Sequence, residues 1–83
     1  MTWTQSDIRE ARKLPLRPVL KKLGYLLERR EDGNSLVLNM PGKVIIKANY
    51  WVNHEDNTAG NAIDFFVKLC GKSFSETMAI LTD

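Results

Sequence analysis

Residues 60–66 read Gly-Asn-Ala-Ile-Asp-Phe-Phe, and residues 71–76 read Gly-Lys-Ser-Phe-Ser-Glu. These two segments are the clearest indication of the fold. In the first part, Asn61 is a favourable residue at a helix start, and Asp64 is spaced to reach back to the first turn. Gly71 suits the end of that helix, because glycine adopts left-handed backbone angles without strain. These residues predict a helix that begins at residue 61 and ends before Gly71.

The second part of the stretch predicts another helix directly after the first. Ser73 and Glu76 have the spacing of a capping box, in which each side chain accepts from the backbone N–H of the other residue. Phe74, Met78 and Leu81 follow at positions i, i+4 and i+7, which share one face of a helix. We therefore expect helices over residues 61–82.

Helical patterns also occupy the N-terminal part of the chain. Apolar residues recur at helical spacing, and Thr4 or Ser6 can cap the first helix. Pro18 suits the first turn of a second helix, and Gly24 suits its end. The sequence predicts helices over residues 5–23.

The middle of the chain has strand-like composition. Residues 25–52 are rich in β-branched and aromatic residues, and Asp32-Gly33 is typical of a hairpin turn. Residues 53–59 are polar and predict a loop. We therefore expect residues 1–83 to form one α+β domain, a small antiparallel sheet of about four strands flanked by N-terminal and C-terminal helices.

The expected core combines apolar residues of the sheet with those of the C-terminal helices. A chain of this size buries only about 60–65% of its unfolded surface, so its packing has to be efficient. The hydrophobic fraction of 43% and the charged fraction of 27% are typical of a globular protein. The core candidates are Leu36, Leu38, Val44, Ile46, Trp51, Ile63, Phe66, Leu69, Phe74 and Leu81.

Composition argues against secreted and membrane proteins. The chain has one cysteine, Cys70, which excludes an intrachain disulfide and fits a reducing cytoplasm. The N-terminal residues lack the pattern of a signal peptide, and no apolar run approaches the roughly 20 residues of a membrane span. We therefore expect a cytoplasmic protein with no membrane partner.

Charge is unevenly distributed along the chain. Residues 1–47 contain ten Lys or Arg and five Asp or Glu, whereas residues 48–83 contain two and five. The basic first half favours a surface that faces a polyanion. Solvated helix faces, or attraction between the two halves, explain the same pattern.

Residues for catalysis and metal binding are scarce. His54 lies beside Glu55 and Asp56, but a nucleophilic mechanism would need a Ser or Cys next to it, and Cys70 falls on the apolar side of a predicted helix. A structural zinc site needs four Cys or His ligands, and the chain has one of each. The polar residues 54–56 could hold a hard cation, although adjacent loop residues are more often solvated. We expect no enzyme activity, no metal and no cofactor.

Basic and aromatic residues on the predicted strands and turns are the remaining functional signal. Proteins that bind single strands combine a positive groove with rings on which bases stack. Alternation along a strand puts Tyr50 and Trp51 on opposite faces, so at least one ring should lie in the core. The candidate nucleic-acid-binding residues are Arg29, Arg30, Lys43, Lys47, Tyr50 and Trp51.

Residues 60–65 and the Ser-Phe-x-Glu-x-x-x-Ile-Leu pattern of residues 73–81 resemble the end of the N-terminal zinc-ribbon domain of bacterial DNA primases. In that family a Cys-x-x-Cys pair precedes a helix of Gly-Asn-Ala-Ile-Asp-Phe type, and a helix of Ser-Phe-x-Glu-Ala type follows. The upstream order of helices and hairpin also fits that domain. The resemblance therefore implies a primase zinc-ribbon architecture for most of the chain.

The resemblance also implies that the zinc ligands are lost. Counted back from Gly60, the Cys-x-x-Cys pair of the family falls at Asn53 and Asp56. The first pair, Cys-x-x-His, falls within residues 38–42, which contain neither residue type. A zinc-ribbon scaffold without zinc has to replace the metal's contribution to folding with apolar packing.

In primases, the sheet face of this domain contacts the single-stranded template, which points here to Lys43, Lys47, Tyr50 and Trp51. Metal-free versions also resemble the N-terminal part of mobile-element proteins that carry a toprim-type catalytic domain. We expect a non-catalytic accessory domain that binds nucleic acid, single-stranded DNA above all, in replication or mobilisation of a mobile element. Its protein partner would be a helicase, a polymerase or a toprim domain. The alternative is a protein-interaction module that has lost DNA binding and docks on a replication partner.

Overall fold

The computed structural model describes residues 3–82, and within them helices precede and follow a five-stranded antiparallel sheet. This arrangement confirms the predicted α+β class. Among residues 3–82, no helix has both the length and the apolar character that crossing a bilayer requires. The elements are α1 (Gln5–Arg12), α2 (Leu16–Lys22), β1 (Leu27–Arg29), β2 (Ser35–Val37), β3 (Val44–Ile46), β4 (Tyr50–Asn53), β5 (Thr58–Asn61), α3 (Ala62–Asp64) with a π-helical continuation (Phe65–Leu69), and α4 (Phe74–Thr82).

The N-terminal helices begin and end where the sequence predicts. Thr4 is the cap of α1, because its Oγ1 accepts from the N–H of Asp7 at 3.0 Å and its own N–H donates to the Asp7 carboxylate at 3.0 Å. Gly24 follows α2 with a φ of +89°, a left-handed angle that glycine adopts without strain. Arg17 then fixes α2 to the β1–β2 hairpin by donating to Gly33 O at 2.8 Å and Ser35 Oγ at 3.0 Å.

The sheet is a meander in which each strand pairs with the next, in the order β1-β2-β3-β4-β5. The prediction that residues 53–59 form a loop is wrong at Thr58 and Ala59, which belong to the fifth strand. Thr58 is a good strand former, but Ala, Gly and Asn have low strand propensity, so β5 carries little signal of its own. Pairing with β4 forms it instead: Trp51 lies opposite Gly60, and the indole N–H of Trp51 donates to Asn61 O at 2.9 Å.

The two faces of the sheet differ because directly paired residues share a face and successive residues alternate. One row across the five strands comprises Arg29, Ser35, Ile46, Trp51 and Gly60. The adjacent row comprises Glu28, Leu36, Ile45, Val52 and Ala59. The first row supplies Ile46 and Trp51 to the core cluster, whereas none of the five residues of the second row belongs to it. We call the face of the first row the core face and that of the second row the outer face.

Capping boxes begin both C-terminal helices, as predicted. The Oδ1 of Asn61 accepts from the N–H of Asp64 at 3.1 Å, and the Asp64 carboxylate accepts from the N–H of Asn61 at 3.2 Å. The same reciprocal pair joins Ser73 and Glu76, with both distances 3.1 Å. The bond from the Ser73 N–H lowers the pKa of Glu76. These boxes explain the local role of the polar residues in the stretch 60–76.

Phe65 and Phe66 begin the π-helical continuation of α3, and both rings are fully buried. Phe65 makes T-shaped contacts with Tyr25, Trp51 and Phe66, at centroid distances of 5.8, 6.4 and 5.2 Å. Aromatic pairs in this geometry stabilise a core beyond their buried area, by about 0.5–1.5 kcal/mol each. Phe65 is thus central to the core, although only Phe66 is among the predicted core residues.

The predicted core is wrong at several other positions. Leu38 and Phe74 are exposed, because Leu38 alternates with the buried Val37 and so lies on the outer face, and the first residue of α4 faces solvent. Leu36 and Leu69 are half-buried rather than buried. The buried hydrophobic residues are Ala11, Leu16, Leu20, Val37, Val44, Ile45, Ile46, Trp51, Ala62, Ile63, Phe65, Phe66, Met78 and Leu81.

Candidate nucleic-acid interface

The outer face of the sheet lies opposite the helix-packed core and is apolar at its centre. Leu36 and Val52 are half-buried and pair with Ile45 from either side. Ile45 is only 3% exposed, although it is outside the core cluster. Cross-strand neighbours therefore shield Ile45, as adjacent side chains on one sheet face commonly do. The outer face consequently offers an ordered apolar platform.

Lys47 and Tyr50 lie opposite each other at one end of this platform. The N–H of Lys47 donates to Tyr50 O at 2.9 Å, and the preceding pair in the ladder is Ile46 with Trp51. Alternation places both side chains on the outer face, where the Cβ atoms of paired residues are about 5 Å apart. Tyr50 is 44% exposed. An ammonium group and an accessible aromatic ring are therefore neighbours.

Arg30 adds a second cation at the same end. Its N–H donates to Asn34 O at 2.8 Å, which extends the β1–β2 hairpin by one residue. The Asp32 carboxylate in this turn accepts from the N–H of Asn34 at 3.0 Å, which is the main cause of its lowered pKa. The charges of Arg30 and Lys47 lower that pKa further. Both cations are therefore close enough to act on one carboxylate.

Lys43 lies at the opposite end of the outer face. It precedes β3, and its carbonyl accepts from the N–H of His54 at 3.0 Å. Lys43 and Lys47 are four residues apart, or about 13 Å along an extended strand. Alternation from Ile45 puts both lysines on the outer face. The two lysines thus flank the apolar platform.

Two of the six candidate residues do not lie on this face. Trp51 is fully buried on the core face and its N–H is bonded to Asn61 O, so the prediction that it contacts nucleic acid is wrong. Arg29 is exposed, but it pairs with Ser35 and so lies at the edge of the core face. Arg29 therefore lies on the other face of the sheet from Lys47, and its contact with nucleic acid stays a prediction.

Sequence reasoning missed the apolar part of the outer face. Leu36 and Val52 form its centre, while Leu26 and Leu38 extend it with exposed fractions of 59% and 52%. The N–H of Leu38 donates to Leu26 O at 2.8 Å, so these two residues pair beyond the end of β1 and β2. The hairpin register would have revealed them, because it separates Leu36 and Leu38 from Val37 by alternation.

The two segments that the resemblance aligns with zinc-ligand pairs lie side by side at the Lys43 end of the sheet. Asn53 is 6% exposed, and its Oδ1 accepts from the N–H of Glu55 at 3.0 Å. A Cβ on Gly42 would lie 3.0 Å from Nδ2 of Asn53, so glycine permits this close approach. Within residues 3–82, no group of three His, Cys, Asp or Glu side chains is placed to hold a metal ion. The residues around the shallow depression here are Met40, Pro41, Gly42, Asn53, Glu55, Asp56, Lys68 and Leu69.

The environment of Cys70 is that of a packed thiol. Its Sγ lies 3.2 Å from the hydroxyl oxygen of Tyr25, and the residue is half-buried against the core. Burial, followed by the hydrogen bond to Cys70, raises the pKa of Tyr25 to about 12. The phenol therefore stays protonated at neutral pH and offers Cys70 no base.

The chain matches no protein-family model, and it matches neither a curated protein nor a solved structure.

Proposed function

We propose that this chain is a non-catalytic accessory domain of primase type that binds single-stranded DNA on the outer face of its sheet. The observation that carries the proposal is the Lys47–Tyr50 pair at the end of the apolar platform. Arg30 lies at the same end of the face, two strands away from Lys47, and Lys43 lies at the far end. A ring for stacking and cations for phosphates are the two components that single-strand binders combine.

Charge favours the β2–β4 part of the face as the contact surface. Residues 33–54 include Lys43 and Lys47 and contain no Asp or Glu. The β1–β2 turn is mixed, because Glu31 and Asp32 follow Arg30. Phosphates are therefore expected over β3 and β4, with the Asp32 carboxylate as the acidic neighbour at the Lys47 end.

Single strands fit this face better than duplexes. A base that stacks on Tyr50 has to be unstacked from its neighbours, as it is in a single strand. The lysines then contact the backbone without reading sequence. Binding should be weak and tolerant of sequence, because few charges take part, and log affinity should fall with log salt by about 0.7 for each phosphate contact.

The primase resemblance supports a role in replication or mobilisation. Residues 40–42 lie beside Asn53 and Asp56, the positions that correspond to ligand pairs in the zinc-containing family. In this chain the buried Asn53 lies close to Gly42 at the position where the family has zinc ligands. We place the domain in the cytoplasm, in replication or mobilisation of a mobile element, with a helicase, polymerase or toprim domain supplying the catalysis.

The experiment is a fluorescence-anisotropy titration with a labelled oligothymidylate at about 50 mM salt. Lys43→Glu combined with Lys47→Glu should weaken binding at least about tenfold, because two phosphate contacts become repulsive. The slope of log affinity against log salt should become shallower by about 1.4.

Arg9→Glu combined with Arg12→Glu is the matched control, because it changes net charge equally on exposed positions of α1. We expect less than about a threefold loss in this control, since charges beyond a Debye length are largely screened. Equal losses in both variants, or no binding of the unmodified chain at tens of micromolar, would refute the outer-face site.

A protein partner on the same face is the second candidate function. The exposed Leu26 and Leu38 favour it, because paired exposed leucines on a sheet commonly mark protein contacts. Leu26→Ser with Leu38→Ser separates the two functions, since neither side chain lies beside the Lys47–Tyr50 pair. Unchanged DNA binding in this variant supports the DNA proposal.

A further inference from the structure

An apolar groove lies on the helical side of the molecule, between α2 and α4. It has a volume of about 420 Å³, and six of its seven lining residues are apolar. The lining residues are Leu14, Val19, Lys22, Leu23, Ala79, Ile80 and Leu81. None of them belongs to the outer face of the sheet, so the nucleic-acid proposal does not account for this groove.

The groove is both accessible and firmly supported. Leu23 is 45% exposed, whereas Leu14, Val19 and Ile80 are half-buried and pack against the core. Side chains supported in this way form a surface that needs little rearrangement before a partner binds. Covering the exposed parts would add about 25 cal/mol for each Å² of apolar area removed from water.

The charge that lines the groove is positive, because Lys22 is the one charged residue among its seven lining residues. Lys21 and Lys22 are exposed in the last turn of α2, and Lys13 is exposed at the end of α1. The α4 wall, residues 77–82, has no charged side chain. Asp7 and Glu10 line a neighbouring depression that shares Leu14 and Leu81 with the groove. A partner that fills the groove consequently meets Lys22, which lines it, with Lys21 next to it in the same helical turn; we call these two residues the lysine rim.

We propose that the groove binds an amphipathic helix of another protein, with apolar anchors in the groove and carboxylates against Lys21 and Lys22. A helix fits because its anchors at i, i+3 or i+4, and i+7 form a continuous stripe, which is the usual occupant of a cleft between helices. An added β-strand would need an open sheet edge, and the walls here are helices.

A second copy of this chain lacks the matching helix. Among the described helices, α2 has three cations and no carboxylate, which would repel the lysine rim. α1 has two cations and two carboxylates, and α4 has a single carboxylate. Charge complementarity therefore favours an acidic helix from a different protein.

The probe is a synthetic helical peptide with leucines at i, i+4 and i+7 and glutamates along the adjacent flank. In a ¹⁵N-NMR titration we expect chemical-shift changes at Val19, Leu23, Ala79 and Ile80. Leu23→Ser should weaken peptide binding at least about tenfold, and its exposed position allows the domain to remain folded.

Charge reversal tests the lysine rim separately from the groove. Lys22→Glu should weaken binding several-fold, whereas the control Lys68→Glu, at an exposed position outside the groove, should leave it unchanged. A peptide whose glutamates are replaced by lysines should bind Lys22→Glu better than it binds the unmodified chain, because opposite charges attract.

Three outcomes would overturn the proposal. They are no shift at groove residues with about 1 mM peptide, equal effects of Lys22→Glu and Lys68→Glu, and groove shifts that depend on the concentration of the chain alone, which would identify a second copy as the occupant. Because the probe is a peptide, a negative result leaves the DNA proposal intact.

Discussion

Tyr50 and Trp51 are adjacent in sequence but have opposite roles. Trp51 fills the core and bonds to Asn61 O, whereas Tyr50 is accessible beside Lys47. Alternation predicts that one ring is inside and the other outside, but it does not say which. The choice follows from non-local contacts, because the Trp51 ring packs against Phe65 and its N–H donates to Asn61 O on the neighbouring strand. Such a contact between strands is not visible in local sequence.

Tyr50→Ala should reduce single-strand affinity by about 5- to 150-fold, because stacking of one base on an aromatic ring contributes about 1–3 kcal/mol. Tyr50→Phe keeps the ring and should stay within about twofold of the unmodified chain. Anisotropy with the labelled oligothymidylate measures both variants. A Tyr50→Ala variant that binds as tightly as Tyr50→Phe would show that the ring takes no part.

At the scale of elements, the helices were predictable and the last strand was not. The Asn61–Asp64 and Ser73–Glu76 boxes are local, so their spacing in sequence was sufficient to predict both starts. β5 depends instead on pairing with β4. Its polar residues predict a loop, and only the non-local contact makes them a strand.

Gly60→Ala tests the junction between β5 and α3. A Cβ at this position would lie 2.5 Å from Cβ of Asp64, so the capping box would have to move. We expect a loss of about 1–3 kcal/mol in the free energy of unfolding, measured by urea denaturation. Ser75→Ala, at an exposed position of α4, is the control and should change stability by less than about 0.5 kcal/mol. An unchanged midpoint for Gly60→Ala would contradict the proposed tight junction.

At the scale of the whole molecule, the two faces of the sheet differ in how they are packed. The core face packs against the helices through Ile46 and Trp51, while the outer face keeps its own apolar platform. Sequence patterns predicted the α+β class, and four of the candidate nucleic-acid-binding residues lie on the outer face: Arg30, Lys43, Lys47 and Tyr50. They did not reveal the platform or the groove, because both form from residues that are distant in sequence.

Chemical-shift mapping is the direct test of whether the outer face binds single-stranded DNA. A ¹⁵N-NMR titration with an oligothymidylate at low salt should shift the amide signals of Ile45, Lys47, Tyr50 and Val52, with smaller changes across α2 and α4. Shifts confined to the helices, or no shifts at millimolar oligonucleotide, would contradict the account.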